Sequence, residues 1–352
     1  MLQFENRINI ANTLDKYITS LSEPIFFDIE TTGLHHKYSY LYMIGVLYQH
    51  NDSWTLRQWF ASKPTDEAII LTAFIDFLKP NSHLIHYNGN SFDIPYLKSR
   101  CAFHGIDTKY LNDIKSMDLY RLIKPYQKML NLDKLTQKSA EQFVGINRRD
   151  QFSGKELIDV YKEYLQSGHQ QLLEQLLLHN QEDVQNLSEL LSLRSYPFFF
   201  DGHYTIANVD FTTDTLVINL KLETPIVRPL TYSNEIYTLS LGTDIATITV
   251  PLYHGTLKHF YNNHKDYYYL PTEDKAIHKS VATYVDKEHR IPATFDNCYQ
   301  KMAGTFIPQY EQVIKPAFST NHKSKILYFS YPNLNFADIK EWLPYVNHLL
   351  QR

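Results

Sequence analysis

Three short stretches of the chain carry acidic side chains within a predicted strand or helix. The first, residues 25–33, is an apolar, strand-like run that contains Asp28 and Glu30. Because side chains alternate along a strand, both carboxylates point to the same face. Paired carboxylates repel each other and resist burial, and a divalent cation removes both costs because hard cations take carboxylate oxygens. The alternative is a strand end that dips into solvent.

The second acidic stretch lies in residues 85–97, where the pattern changes from strand to helix. An Asn-Gly-Asn turn precedes Ser91, which is predicted to cap the helix that follows. Asp93 then lies near the helix N-terminus, where the macrodipole favours its ionised form. An ordinary acidic residue in a first helical turn is the alternative.

The third stretch is a helix predicted over residues 170–193, with leucines repeating along one apolar arc. His179 and Asp183 are four residues apart and therefore share a face of it. Projection at helical spacing places Asp183 on the margin of the arc and His179 just outside its edge. A carboxylate turned toward a core needs a partner or a metal ion, whereas His179 taken by itself is better explained as a surface histidine.

The order of these three motifs resembles that of the DEDD 3′–5′ exonucleases in the ribonuclease H-like superfamily. Residues 25–192 look more closely like the YprB-like ribonuclease H-like family. The matching segments are FFDIETTGL (26–34), YLYMIGVLY (40–48), IHYNGNSFDIPYL (85–97), SMDLYRLIKP (116–125) and LLLHNQEDVQNLSEL (176–190). By this resemblance the metal-binding carboxylates are Asp28, Glu30, Asp93 and Asp183.

The resemblance implies a 3′–5′ exonuclease that hydrolyses DNA or RNA with two Mg²⁺ or Mn²⁺ ions. Asp28 would bridge the ions, Glu30 and Asp183 would complete the site of the attacking water, and Asp93 would support the second ion. His179 would take the proton, since its ordinary pKa suits that task. The family carries Tyr-x-x-x-Asp or His-x-x-x-x-Asp in the last motif, whereas this chain has His-x-x-x-Asp, so His179 could instead only orient the water.

Residues near the first two motifs are candidates for holding the terminal nucleotide of a single-stranded 3′ end. They are Thr31, Leu34, Asn90 and Phe92, and a core position is the alternative for Phe92. Asp118 is interpreted first as a helix cap and second as a functional acid. Six lysines and arginines between residues 124 and 149 form either a solvated helix face or a contact surface for backbone phosphates.

Two other functions fit the same motifs. One is a structure-specific endonuclease that uses the same site. The other is a nucleic-acid-binding protein whose site has lost catalysis; the four carboxylates argue against it, and only the histidine spacing favours it.

Composition narrows the class of protein. The 352 residues carry a net charge of −4, so a nucleic acid must be held by a local patch or by metal. Cys101 and Cys298 lie far apart, which argues against a zinc knuckle and a disulfide and fits a reducing cytoplasm. No apolar run approaches the roughly 20 residues of a membrane span, and the polar N-terminus does not resemble a signal peptide.

These residues must be positioned by helices and strands, and the order of the predicted elements indicates an α/β fold. We expect a ribonuclease H-like mixed sheet flanked by helices. Helices are expected at 10–21, 65–78 and 91–103, strands at 25–33, 40–49, 54–60 and 83–87, and mostly helix over 118–192. We expect two domains, an exonuclease domain at 1–197 and a smaller, mostly-β α+β domain of unknown function at 198–352. In the second domain we expect strands within 203–258 and near 303–308 and 325–330, and helices at 272–286 and 336–350.

Overall fold

The computed structural model of the protein describes residues 1–10, 14–18, 21–331 and 338–350. The chain divides into two compact units, residues 1–197 and residues 198–352. Among the described residues, no helix combines the length and the apolar character that crossing a membrane requires.

One mixed sheet of six strands organises the first unit. Its strands are β1 (Leu2–Ile8), β2 (Pro24–Thr31), β3 (Leu41–His50), β4 (Ser53–Phe60), β5 (His83–His86) and β6 (Lys115–Asp118). Their order in the sheet is β1-β4-β3-β2-β5-β6. The pairs from β1 to β2 are antiparallel, whereas β2–β5 and β5–β6 are parallel. β2 therefore lies where the antiparallel and parallel halves meet, and the predicted mixed sheet is confirmed.

Helices flank this sheet. They are α1 (Asp15–Ile18), α2 (Glu67–Phe77), α3 (Asp93–His104), α4 (Lys109–Asp113), α5 (Leu119–Ile123), α6 (Gln137–Val144), α7 (Gly154–Ser167), α8 (Gln170–Leu190) and α9 (Ser195–Phe200). The ring of Phe27 on β2 stacks on Phe74 of α2 with 5.9 Å between centroids. Asp28 and Glu30, which alternate with Phe27, contact side chains of α8 instead. The two helices thus cover opposite faces of β2, one apolar and one acidic.

The N-terminal prediction was wrong in part. Residues 2–8 form a strand that pairs with β4, from Leu2 opposite Phe60 to Ile8 opposite Trp54. This edge strand is mostly exposed, so it lacks the apolar alternation by which a strand is recognised. The helix expected at 10–21 is reduced to α1 in its described part, and residues 11–13 and 19–20 lie outside the described residues.

The second unit is mostly β, as predicted. Its elements are β7 (Tyr204–Phe211), β8 (Thr215–Leu222), β9 (Leu230–Ser233), β10 (Thr238–Leu241), β11 (Ile245–Pro251), β12 (Tyr253–Phe260), β13 (Tyr267–Leu270), β14 (Lys275–His278), β15 (Ile291–Pro292), β16 (Tyr299–Gln309), β17 (Leu327–Ser330) and α10 (Leu343–Leu350). The strands form three sheets in the orders β7-β8-β11-β10-β9, β12-β16-β17 and β14-β13-β15. The closing helix of the prediction starts later than expected, and its residues 336–337 lie outside the described part.

The helix predicted at 272–286 is not present. β13 and β14 pair as an antiparallel hairpin there, and Asp274 takes a positive φ of 49° in the connecting turn. The carboxylate of Asp274 accepts hydrogen bonds from the hydroxyls of Tyr269 and Tyr299 and pairs with Lys301. These contacts outweigh the capping pattern that favoured a helix from sequence alone.

Candidate active site

The central strand β2 carries the first two carboxylates to the face covered by α8. Asp28 lies opposite Gly45 of β3, and the register shifts between Glu30 and Thr31 where β2 ends. Glu30 is only 7% exposed, and its Oε1 lies 3.7 Å from Nε2 of His179. Two acidic side chains therefore project from one strand toward one helix, as the alternation pattern predicts.

A glycine lets α8 approach β2 closely. A Cβ built on Gly45 would lie 2.0 Å from Oδ1 of Asn180 on α8. The amide of Asn180 donates to Oδ2 of Asp28 over 3.3 Å, and its oxygen accepts from Nε2 of Gln58 over 3.0 Å. Asn180 is fully buried. Gln58 and Asn180 together fix the orientation of the Asp28 carboxylate, and sequence reasoning missed both residues.

Asp118 holds the turn that leads to Asp93. Its carboxylate accepts the backbone N–H groups of Asn88 (2.9 Å) and Asn90 (3.2 Å), and it also caps α5, as predicted. The predicted cap by Ser91 is wrong, because α3 starts at Asp93 after Phe92 without a side-chain cap. The turn is held from the neighbouring strand β6 instead, which leaves Asp93 buried in the first turn of α3.

His179 is buried rather than set outside the apolar arc. Its exposed fraction is 5%, and the loop between α6 and α7 covers this middle part of α8. Nδ1 of His179 lies 2.7 Å from Oδ2 of Asp150 in that loop, and Nε2 lies 3.0 Å from Oδ2 of Asp183. Glu182 fixes the loop by accepting the backbone N–H of Arg149 (3.1 Å) and of Asp150 (3.0 Å).

Arg148 is a second cation in the site. Its side chain is 7% exposed, so the solvated helix face considered for residues 124–149 does not apply to it. Its guanidinium bonds the carboxylate of Glu141 through Nε and Nη2, and Nη2 also reaches Oδ1 of Asp183. The backbone carbonyl of Asp183 accepts from Nε2 of Gln137 over 2.8 Å. Asp183 is thus held at both its side chain and its backbone.

The carboxylates raise one another's pKa values. Burial, followed by the charges of Asp183, Glu30 and Asp93, holds the pKa of Asp28 well above its ordinary value. Burial raises the pKa of Glu30 to about 8 although His179 opposes the shift, and burial raises the pKa of Asp93 to about 7 although hydrogen bonds from backbone N–H groups oppose it. This crowding marks a site whose buried carboxylates are not fully compensated by His179 and Arg148.

The pKa values of His179 and Asp183, both on α8, shift so that each residue favours its ionised form. Burial alone would raise the pKa of Asp183, but the hydrogen bond and charge of His179, with Arg148, lower it. Burial alone would lower the pKa of His179, but Asp183, Glu30 and Asp150 raise it to about 9. The neighbouring carboxylates therefore favour the protonated form of His179.

The donor set fits a hard divalent cation. Glu30, His179 and Asp183 place potential ligand atoms within 4.8 Å of one another in the described part of the chain. Asp28 and Asp93 lie close enough to add to the same negative field. Carboxylate oxygens in this number suit Mg²⁺ or Mn²⁺, and the unfavourable burial of their charges is the cost that such an ion removes.

The four candidates for nucleotide binding differ in their freedom to contact a ligand. Leu34 is 79% exposed. Thr31 donates its hydroxyl to the backbone carbonyl of Gly33 over 2.9 Å, and Oδ1 of Asn90 accepts from Ser116 over 2.9 Å. Phe92 is partly buried against the core, in line with its structural alternative. A role for these residues in nucleotide binding stays a prediction.

Two comparisons of the sequence with known proteins match the first unit. A family model described as the RNase_H superfamily matches residues 25–194. The protein YprB of Bacillus subtilis strain 168, described as uncharacterized, is 25% identical over 202 residues, which is 56% of this chain and 48% of YprB. The chain thus aligns with about half the length of this relative.

The similarity of this chain to solved structures is weaker. A family B DNA polymerase from the hyperthermophilic archaeon Pyrobaculum calidifontis has a TM-score of 0.39 at 14% identity, covering 67% of this chain and 34% of the polymerase. The zinc-bound complex of E. coli ExoI with ssDNA has a TM-score of 0.31 at 15% identity, covering 45% of this chain and 43% of that one.

Proposed function

Residues 25–194 belong to the ribonuclease H superfamily and resemble YprB, and from this we propose that the protein is a metal-dependent 3′–5′ exonuclease. Its substrate would be a single-stranded 3′ end of DNA or RNA. Membership of the superfamily supports a nuclease in general. The observation that carries the finer proposal is the convergence of acidic side chains from β2, α3 and α8 in one cluster, which His179 contacts through Glu30 and Asp183.

Asp28, Glu30, Asp93 and Asp183 would hold two Mg²⁺ or Mn²⁺ ions. Such ions, when bound, lower the pKa of water and stabilise negative charge on the leaving 3′ oxygen. The chain contributes the orientation of these carboxylates: Asn180 directs Asp28 by its hydrogen bond, and the turn held by Asp118 places Asp93.

His179 would accept the proton of the attacking water. The carboxylate of Asp150 accepts a hydrogen bond from Nδ1–H, which leaves Nε2 directed at Asp183 and Glu30. The pKa of about 9 arises from these neighbouring carboxylates. Positive charge that compensates them lowers it toward the ordinary value, where the imidazole can act as a base near neutral pH.

The test uses 5′-labelled single-stranded DNA and RNA of equal sequence, each with Mg²⁺, Mn²⁺ or EDTA. The proposal predicts a metal-dependent ladder of products that shortens from the 3′ end and is lost in Asp28→Ala. The control variant Asp159→Asn changes an exposed carboxylate on α7 that pairs only with Lys162 among the described contacts, and its ladder should be unchanged.

Two outcomes contradict the proposal. Cutting of a circular single strand, with discrete internal products from linear strands, would indicate a structure-specific endonuclease. Uncut substrates that nevertheless bind the protein would indicate a nucleic-acid-binding protein whose site has lost catalysis.

A further inference from the structure

Within the described part of the chain, one nitrogen of the Arg148 guanidinium has no hydrogen-bond partner. Nε and Nη2 bond Glu141, and Nη2 also bonds Asp183. Nη1 is buried and has no hydrogen-bond partner among the described residues. A buried N–H left unpaired is destabilising, because it has lost its hydrogen bonds to water and gained none in return. An orphan donor in a folded protein therefore calls for a ligand or a water that completes it.

The shape of the guanidinium places this orphan beside Asp183. The group is planar, and Nη1 and Nη2 share its terminal edge as the two prongs of a fork. Since Nη2 donates to Oδ1 of Asp183, an acceptor for the Nη1 N–H on that terminal edge would lie next to the same carboxylate. The unpaired donor thus lies at the edge of the acidic cluster, beside Asp183.

Asp183 uses different oxygens for its two cationic neighbours. Oδ1 accepts from Arg148, whereas Oδ2 faces Nε2 of His179 at 3.0 Å. The oxygen on the side of His179 and Glu30 is therefore free of Arg148. Arg148 can keep its hold on Asp183 while the rest of the cluster binds a cation.

We propose that Nη1 of Arg148 donates a hydrogen bond to a non-bridging oxygen of the phosphate that is cleaved. This inference rests on the proposed nuclease function. An arginine stays charged at any working pH and suits phosphate oxygens. Glu141, which is 1% exposed, holds the guanidinium plane through two bonds, so the donor is oriented before substrate arrives. A purely structural Arg148 that only neutralises Asp183 is the competing explanation.

The test is a cycle that combines Arg148→Lys with sulfur substitution in the substrate. A 5′-labelled single-stranded DNA carries oxygen, the Rp phosphorothioate or the Sp phosphorothioate at its 3′-terminal linkage. Single-turnover rates are measured in Mn²⁺ for the wild-type chain and the variant. Lysine keeps the positive charge but lacks the fork, so cleavage of the oxygen substrate should fall by roughly 100-fold, the lower end of the loss expected when one preorganised donor is removed.

The decisive result is non-additivity. Sulfur accepts hydrogen bonds poorly, so one diastereomer should slow the wild-type chain but cause no further loss in Arg148→Lys. Independent losses with both diastereomers would contradict the contact and support the structural explanation. A wild-type chain that cleaves none of the three substrates would contradict the proposed function itself, and the contact with it.

Two further variants complete the design. Arg7→Lys is the matched control, because Arg7 is exposed on the edge strand β1; its rates and sulfur effects should equal those of the wild type. If Arg148→Lys unfolds at the assay temperature, Arg148→Gln combined with Glu141→Gln replaces the ion pair by two amides. This double variant leaves neither residue of the pair as an unpaired charge, and the same non-additivity is expected.

Discussion

Nδ1 of His179 lies 2.7 Å from Oδ2 of Asp150, a residue 29 positions away in the chain. Asp150 is itself buried and is held by Glu182 through its backbone N–H. An ionised carboxylate only accepts hydrogen bonds, so this contact places a proton on Nδ1 and directs Nε2 toward Asp183. Asp150 is therefore a positioning residue for the imidazole.

Asp150→Asn should lower kcat by about 100-fold, the scale of a misplaced general base, while KM for the oligonucleotide stays near the wild-type value. The amide no longer holds the imidazole in one orientation. Steady-state kinetics in Mn²⁺ measure both constants. Asp159→Asn serves as the control and should show wild-type kinetics. An unchanged kcat in Asp150→Asn would show that Asp150 does not position the imidazole.

Asp28→Asn should stabilise the protein in EDTA, because it removes one charge from a crowded acidic cluster. A gain of about 1 kcal/mol corresponds to a Tm increase of about 2–4 °C in a unit of this size. Mn²⁺ at 100 times its Kd should stabilise the wild type by about 2.7 kcal/mol and the variant by much less.

Differential scanning calorimetry with and without Mn²⁺ measures both effects. Asp76→Asn removes an exposed carboxylate from α2 and should leave both the EDTA Tm and the Mn²⁺ response unchanged. Equal Mn²⁺ responses in wild type and Asp28→Asn would argue against Asp28 as a ligand.

Gly45→Ala should weaken metal binding without touching a ligand. The new Cβ would overlap Oδ1 of Asn180, whose amide orients Asp28. Overpacking of this kind costs about 1–3 kcal/mol of stability, and loss of an orienting partner costs about 10-fold or more in metal affinity. Calorimetric titration with Mn²⁺ tests this. Gly154→Ala, where the added methyl meets open space, should bind Mn²⁺ normally, and equal affinities in all three chains would refute the prediction.

Glu67→Gln should destabilise the first unit in a pH-dependent way. The buried carboxylate of Glu67 accepts from Arg100 (2.7 Å), His104 (2.8 Å) and the backbone N–H of Leu41 (2.8 Å). Burial alone would raise its pKa, but these bonds lower it below the ordinary 4.5. Its stabilisation is therefore fully present above about pH 4.5 and is lost as the pH falls through the lowered pKa.

At pH 7 the variant should be less stable by about 3 kcal/mol, the cost of breaking a buried pair. Urea unfolding at pH 7 and pH 3 should show this difference shrinking in acid. A difference of the same size at both pH values would mean that the carboxylate charge is not what stabilises the wild type. Glu163→Gln, at an exposed position of α7, should match the wild type throughout.

Local pattern was sufficient to predict the elements that carry the acidic motifs. The apolar strand around Asp28 and the leucine-rich helix around Asp183 have strong periodicity, so β2 and α8 form where expected. The mixed sheet was predicted from the order of strands and helices along the chain. The edge strand β1 and the hairpin at residues 267–278 were missed because tertiary pairing decides both.

The surroundings of the acidic motifs could not be predicted in the same way. Asp150 and Arg148 lie in a loop without periodicity, and only folding brings them to His179 and Asp183. The buried position of His179 depends on that loop as well. A weak signal existed in the run Arg-Arg-Asp just before the capping box that starts α7, but such runs occur on many exposed loops.

The claim that the acidic cluster is a metal site is tested most directly by anomalous diffraction from crystals of the full chain soaked in Mn²⁺. The proposal predicts anomalous peaks within about 2.5 Å of carboxylate oxygens of Asp28, Glu30, Asp93 and Asp183. Crystals of Asp28→Asn should lose at least one of these peaks. Wild-type crystals with no peak at these four residues, at an Mn²⁺ concentration that saturates cleavage in solution, would contradict the claim.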